Sequence, residues 1–364
     1  MGSSKRIAPG HKFGNLHIER ELGRGAFATV FLAKDTLIGR QVALKVMRAP
    51  AAIAPTEERE RILREARLVA KLNSQHIVTL YRVHELEDGG WMFEMEYVEG
   101  GTLDDLMKKH GRLPVNETLR VLLGVLSALR DAHAHEVIHR DVKPGNVLIG
   151  KDGAVKLTDF GLGSTVGEAS LSASSGARIL GTPLYMAPEV VMGESPTLTS
   201  DLWSVGVILY RMLSGRHPFQ ANNLPNLFIK IQNAEAPALR EDAPRELCEL
   251  AMTCLRKRAV DRPVSADAML GLIDRIITTS TDLPREAISA IMPRPRLIGR
   301  QKELSRLDEY LQTVTEGRGA TVLITGEAGA GKTTLMQELA LHAGRHGFRW
   351  LEANVTSLGG LLRP

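Results

Sequence analysis

The chain has 364 residues, 43% of them hydrophobic, with 46 lysines and arginines against 42 aspartates and glutamates. This exceeds one ordinary domain and suffices for a real core, while a net charge of +4 with no basic run interleaved with aromatics excludes a nucleic-acid surface and leaves nucleotide as the implied anion. No apolar run reaches the roughly 18 residues of a membrane helix, no signal-peptide core opens the chain, and Arg6 stands where a myristoylation site wants serine or threonine, so a cytoplasmic protein without membrane insertion is expected.

Residues 1 to 12 are polar and glycine rich and are expected to be disordered. GRGAFATV follows, from Gly23 to Val30 between Leu22 and Phe31; glycines at Gly23 and Gly25 let backbone amides approach a phosphate that side chains would hold off. VALK, Val42 to Lys45, reads as a buried strand carrying a lysine. Ile62, Ala66, Val69 and Leu72 recur at helical spacing and predict a helix over 57–72, opened by Thr56 as cap with Glu57 and Glu58 in an acidic first turn. Glu65 sits beside that apolar stripe, whereas Glu58 and Glu60 read as solvated charges. WMFEMEYVEGG, Trp91 to Gly101, is an apolar strand ending in a glycine pair.

The densest chemistry lies in HRDVKPGNVLI, His139 to Ile149, and DFG, Asp159 to Gly161. Asp141 can accept the proton of an incoming hydroxyl, Lys143 can neutralise a phosphoryl group in flight, and Asn146 with Asp159 can hold magnesium through oxygen. Val147 to Ile149 and Val155 to Leu157, split by Gly150 and Gly153, read as a hairpin that fixes both acids. A lone HRD is a charged turn and a lone DFG a glycine-closed one; their occurrence together in this order rejects the bland reading.

This set resembles the protein kinase family, and among its members the bacterial Hanks-type serine/threonine kinases. The resemblance covers roughly residues 13 to 277. It implies that Lys45 binds the inner phosphates with Glu65 as its counter charge, and that Met95 lies behind the adenine while Glu96 and Val98 offer it backbone hydrogen bonds. Leu22, Val30, Ala43 and Leu148 would enclose the ring. Ala28 replaces the third glycine of the family's loop, which implies reduced loop freedom with nucleotide binding retained. In GTPLYMAPE, Gly181 to Glu189, Thr182 together with Lys143 resembles the serine/threonine branch. Glu189 with Arg262 resembles a structural ion pair, and Asp201 in SDLWSVG resembles the brace of the catalytic loop. Arg140 is implied as the sensor of a phosphate on the activation segment, where Ser174 and Ser175, then Ser172, are the candidate sites; a solvated, unmodified linker is the alternative. Basophilic members carry glutamates where this chain has Thr102 and Gly145, so strong preference for basic substrates is not expected, with Asp104 and Asp105 as partial substitutes.

Cys248 and Cys254 share one expected helix without metal spacing and read as buried hydrophobes in a reducing compartment. A helix over 265–277 is expected to close the kinase-like region. TTSTDLP and MPRPRP mark a linker over 278–296, interrupted at most by a short helix over 285–291. Leu304, Leu307 and Leu311 then predict an amphipathic helix, and TVLIT, Thr321 to Thr325, a strand entering GEAGAGKTT and a following helix. Strand, glycine loop, lysine, hydroxyl and helix form the full context of a Walker A loop, with Gly326 and Gly331 in the loop, Lys332 for the outer phosphates and Thr333 for magnesium. With Ile298 to Arg300 upstream, residues 297–364 resemble the entry to an AAA/STAND-type signalling ATPase. The stretch stops before an acidic Walker B strand, so an incomplete domain that binds nucleotide weakly without hydrolysing it is expected.

The expected fold is α+β: a bilobal kinase fold, small lobe 13–98 and large lobe 99–277, with a partial P-loop α/β unit after the linker. The expected function is transfer of the γ-phosphoryl of ATP, with Mg2+ or alternatively Mn2+, to serine or threonine of proteins and of the chain itself, with dimerisation as one route to phosphorylation in trans. An inactive nucleotide-binding scaffold, or a signalling ATPase with the kinase as input module, stays open at this point.

Overall fold

The computed structural model describes residues 7–25, 28–47, 55–87, 89–160, 182–239, 243–279, 300–315, 317–319 and 321–326, together with Lys332, Leu335, Met336, Leu339 and Ala343. The chain divides into two units, 1–284 and 285–364, so the division falls inside the expected linker.

In the first unit, β1 (Lys12–Phe13), β2 (Leu16–Arg24), β3 (Ala28–Asp35), β4 (Gln41–Met47), β5 (Leu80–Glu85) and β6 (Trp91–Glu96) form an antiparallel sheet in the order β1-β2-β3-β4-β6-β5. Strand alternation sends its side chains to two cores. Leu16, Ile18, Phe31, Ala33, Val42, Leu44 and Met92 fill one face. Met47, Trp91, Phe93 and Met95 fill the other, against Ile62 and Ala66 of α1 (Pro55–Val69). Lys45 shares the second face with Ala43 and is itself buried.

Two expectations change here. Residues 7–12 are ordered: Gly10 donates to the Ile18 carbonyl at 2.8 Å, Ile18 to the His11 carbonyl at 3.0 Å, and Ile7 and Phe13 pack on the outer core. Residues 1–6 lie outside the described set. Helix α1 begins at Pro55, so Thr56 lies inside it rather than capping it; a proline at the first helical position needs no N–H and has φ preset.

A three-stranded sheet, β7 (Gly100–Thr102), β8 (Val147–Gly150) and β9 (Val155–Leu157), opens the large lobe and contains the expected hairpin. Around it lie α2 (Leu103–His110), α3 (Val115–His133), α4 (Pro188–Val191), α5 (Leu198–Ser214), α6 (Leu224–Asn233), α7 (Arg245–Cys254) and α8 (Ala266–Thr279). Helix α5 is buried nearly all round, with Trp203 stacked on Phe219 at 5.8 Å. Both cysteines are on α7 as expected and are free thiols, and Ser265 caps α8 by accepting from the Ala268 amide at 3.0 Å. Residues 74–79, between α1 and β5, are joined to the large lobe: Val78 donates to Leu157 at 3.0 Å, Leu157 to His76 at 2.7 Å, and the Ser74 hydroxyl to Asp131 at 2.5 Å.

In the second unit, α9 (Gln301–Thr315) is the expected amphipathic helix with Leu307 buried. Residues 321–326 have no strand pairing among the described residues, a correction to the expected strand, since alternation in sequence makes a strand only where a partner accepts its hydrogen bonds. Lys332, Leu335, Met336, Leu339 and Ala343 are helical, as expected after the glycine loop. The proposed short helix over 285–291 lies outside the described residues. Among those described, no helix is long and apolar enough to cross a membrane.

Candidate active site

The catalytic loop is built around Asp201, at the first turn of α5. Its carboxylate accepts from the amides of His139 and Arg140, both at 2.9 Å, and lies 2.9 Å from His133 Nε2. Arg140 holds a left-handed φ of 69°, which costs a non-glycine residue about 1–3 kcal/mol and is offset here by that charged acceptor. His139, fully buried, lies with Nε2 2.9 Å from the Thr158 carbonyl oxygen and Nδ1 3.2 Å from the Asp141 amide. Its ring meets Phe160, also buried, at 4.5 Å. The HRD and DFG turns are thus one hydrogen-bonded body.

On it, Asp141 is held in place. Lys143 Nζ lies 2.5 Å from its Oδ2, and Asn146 Nδ2 donates to its backbone oxygen at 2.8 Å and to Oδ2 at 3.1 Å. With its amide nitrogen so used, Asn146 keeps Oδ1 as an oxygen donor. Asp159, at φ 67°, receives Lys45 Nζ on Oδ1 at 2.8 Å. Burial alone would raise its carboxyl, but Lys45 outweighs that, with Lys143 adding, and holds it below the usual carboxylate range. An ionised Asp159, next in sequence to Thr158 whose amide donates to the Asn146 carbonyl at 2.9 Å, and the amide oxygen of Asn146 are hard-oxygen donors of the kind that fit a divalent cation.

The expected partner of Lys45 was Glu65. Here the carboxylate on Lys45 is Asp159, while Glu65 Oε1 lies 3.6 Å from Arg140 Nη1, so the structure brings Glu65 to the catalytic loop and not to the β4 lysine. Lys45 pairs with the charged Asp159, and α1 presents Glu65 to the exposed guanidinium of Arg140 on the catalytic loop.

The residues expected around a ring lie as follows. Ala43 and Met95 are direct partners in the β4–β6 ladder, Val30 faces Lys45 across β3–β4, and Leu148 faces Thr102 across β7–β8. Val98 and Leu148 pack on the cluster that contains Met95. Leu22, Val30, Val98 and Leu148 are half-buried, which leaves apolar surface for a planar ligand. Gly100 is required for contact rather than freedom, because a β-carbon there would collide with the Ile149 carbonyl oxygen. In the glycine loop, Gly23 is the last residue but one of β2, and Gly25 donates to the Ala28 carbonyl at 2.8 Å.

Downstream, Arg262 binds Glu189 through two 2.8 Å bonds, with Ser200 adding one at 2.7 Å. Thr182 begins the turn Thr182–Tyr185, while Ser172, Ser174 and Ser175 lie outside the described residues, as do Gly331 and Thr333. In the second unit Lys332 Nζ donates to the Gly326 carbonyl at 2.7 Å. Several participants carried no sequence signal: Thr158 acts through its carbonyl, His133 reaches Asp201 from α3, and Lys156 occupies the Glu96 carboxylate at 2.8 Å. Asp104 and Asp105, the proposed stand-ins for absent glutamates, are also engaged, the first by Arg211 at 3.0 Å and Lys108 at 2.8 Å, the second by capping α2 through Thr102.

A family model described as protein kinase domain matches residues 16–271, and one described as AAA ATPase domain matches 296–362. The chain is 40% identical over 228 residues to the probable serine/threonine-protein kinase pknA2 of Bifidobacterium longum, covering 62% of this chain and 30% of that protein. It is 34% identical over 231 residues to the serine/threonine-protein kinase PrkC of Bacillus subtilis, covering 64% and 35%. With PknL of Mycobacterium bovis the identity is 38% over 256 residues, 69% of this chain and 63% of that one. The chain thus spans about a third of the length of the first two. Asp141, Asn146, Asp159 and Lys45 converge within the 256 residues, 16–271, that the kinase model covers, and the chain belongs to the protein kinase family.

Proposed function

We propose that the chain is a serine/threonine protein kinase that transfers the γ-phosphoryl of ATP to hydroxyls of proteins and of its own activation segment. The observation that carries this reading is Asp141, fixed by Lys143 and Asn146 on a loop whose other end holds an ionised Asp159. Asp141 accepts the proton of the acceptor hydroxyl, Lys143 neutralises charge on the phosphoryl oxygens, and Lys45 binds the inner phosphates. Asn146 and Asp159 would hold the divalent cation, Mg2+ in the first place and Mn2+ in the second, which would supply charge neutralisation for the phosphates. Because the residues do little covalent chemistry, the rate rests on position and charge. The names of the relatives, all serine/threonine-protein kinases, support the acceptor class.

The working kinase comprises residues 13–277, followed by a linker over 278–296 and the P-loop region from 297. Arg140 is the receiver of a phosphate placed on Ser174 or Ser175, with Ser172 next. That phosphate competes with Glu65 for Arg140 and frees Glu65 for Lys45. Neighbouring copies carry out this transfer in trans, and the cytoplasm is the compartment proposed.

Incubation with labelled ATP and Mg2+ tests the reading. Label is expected on the wild-type chain and on a serine-containing protein, and Asp141→Asn should reduce it by about 10²–10⁴-fold, the usual contribution of a positioned base. Equal labelling by both proteins would sink the assignment. A second reading, nucleotide binding by the P-loop unit, is favoured by the match over 296–362 and by the helical turn that carries Lys332.

A further inference from the structure

The last residue of β6 is held by an ion pair from the large lobe. Lys156, the middle residue of β9, places Nζ 2.8 Å from Glu96 Oε1 and 3.0 Å from Oε2, and the Thr79 amide donates to Oε2 at 3.2 Å. The Glu96 amide donates in turn to the Thr79 carbonyl at 2.9 Å. Glu96 is therefore fixed through both its side chain and its backbone. The two charged side chains are 17% and 24% exposed, so water screens their attraction far less than that of Lys151 and Glu99, 71% and 63% exposed.

The place of Lys156 in the sheet ties this pair to the apolar surface around a ring. It stands directly opposite Leu148 in the β8–β9 ladder, so the two side chains share one face. Leu148 in turn packs on the cluster that contains Met95, the residue before Glu96. Leu157, next to Lys156, donates to the His76 carbonyl and accepts from the Val78 amide. Strand β9, residues 76–79 and Glu96 thus form one hydrogen-bonded body, and the chain leaves it through the Glu96 carbonyl. In the kinase reading that carbonyl faces the purine, so its direction decides how well the ring's amino group is received.

We infer that Lys156 is a positioning residue for nucleotide binding, which acts through the Glu96 carboxylate to orient the Glu96 backbone carbonyl towards the purine ring. This rests on the kinase reading above and deepens it at the nucleotide site. Without the amine, a half-buried carboxylate loses its counter charge and turns towards water to recover hydration, taking its own peptide group with it.

The test uses the full chain, with adenosine as a ligand that carries the ring but no phosphates, titrated by calorimetry beside steady-state rates with ATP and a serine peptide. Lys156→Met is expected to raise the Kd for adenosine and the KM for ATP by the same factor, about fivefold or more, with kcat within about twofold of wild type. Lys156→Arg keeps the charge and should bring both constants back towards wild type. Glu96→Gln should match Lys156→Met, and the double variant should be no worse than either alone, because all three lose one interaction. An unchanged adenosine Kd in Lys156→Met would overturn the inference, as would losses that add in the double variant. A loss in kcat alone, or one that Lys156→Arg does not relieve, would mean a merely structural role and overturn it too. Thermal unfolding checks the variants, and where Lys156→Met does not fold, Glu96→Gln decides alone. A wild type that binds adenosine but transfers no phosphoryl group sinks the kinase reading, while the adenosine titrations still decide the role of Lys156.

Discussion

Asp201 shows how one side chain can carry a loop: it accepts two consecutive backbone amides and a histidine, so both turns of the catalytic loop depend on its being charged and immobile. Lys45 shows the opposite, a cation with more than one carboxylate suited to it. Its pairing with Asp159, while Glu65 faces Arg140, sets two ion pairs in place of the Lys45–Glu65 pair that the family resemblance implied. A third residue gives a pH signature. Burial, with Arg211 adding, lowers His217 from the usual 6.5 to about 4, and its Nδ1 is buried with no hydrogen-bond partner among the described residues. The unfolded chain then takes up a proton below pH 6.5 that the folded one refuses until about pH 4, so stability rises with pH through that window and is lost as pH falls through it. Going from pH 7 to 5 should cost on the order of 1–2 kcal/mol from this group. His217→Gln keeps a hydrogen-bonding group for Tyr185 but cannot titrate, and denaturant titrations at both pH values should show its slope flattened. An unchanged slope would show that other groups set it.

At the scale of elements, the fit between helices is set by what is missing from one of them. Gly206 of α5 meets Cys254 of α7 so closely that a β-carbon would clash with the Cys254 β-carbon. Gly206→Ala is therefore expected to destabilise by about 1–3 kcal/mol through overpacking, although alanine is the better helix former, and chemical denaturation reads the sign directly. Cys254 Sγ is buried against Met269 and burial pushes its thiol up to about 12, so thiol reagents should label it only after unfolding. How much of this was legible follows the range of the forces involved. The periodic helices and the β8–β9 hairpin were readable because burial on one face writes a local pattern. The Gly206–Cys254 contact, the order of residues 7–12 and the Arg211–Asp104 pair were not, because each joins segments whose separation in sequence carries no local signature. At the site, Asp141, Asn146 and Asp159 were legible through chemistry at fixed spacing, and Asp201 only through the family resemblance. Glu65 was placed on the right helix face, yet the choice of its cation depends on how that helix sits against the loop.

For the molecule as a whole, the chain carries two glycine loops proposed to bind phosphate, in two separate units, each with its own lysine. Sites with no shared partners behave additively, so Lys332→Ala should leave protein phosphotransfer within about twofold of wild type, while Lys45→Ala removes it. Initial rates with the same peptide decide this, and ATP hydrolysis measured in parallel should show no dependence on Lys332. A turnover abolished by Lys332→Ala and untouched by Asp141→Ala would instead make the P-loop unit a working ATPase.

The fastening of residues 74–79 onto the large lobe has a mechanical consequence. Helix α1 belongs to the small lobe by its packing, but the chain leaving its far end is stitched to β9 and α3 through Val78, His76 and Ser74. A helix pinned at one end responds to load by pivoting, and the arc grows with distance from the pin. Glu65 lies about one helical turn before Val69, the last residue of α1. It therefore sits close to the fulcrum, where a modest swing at the Pro55 end becomes a small, accurately directed step between Arg140 and Lys45.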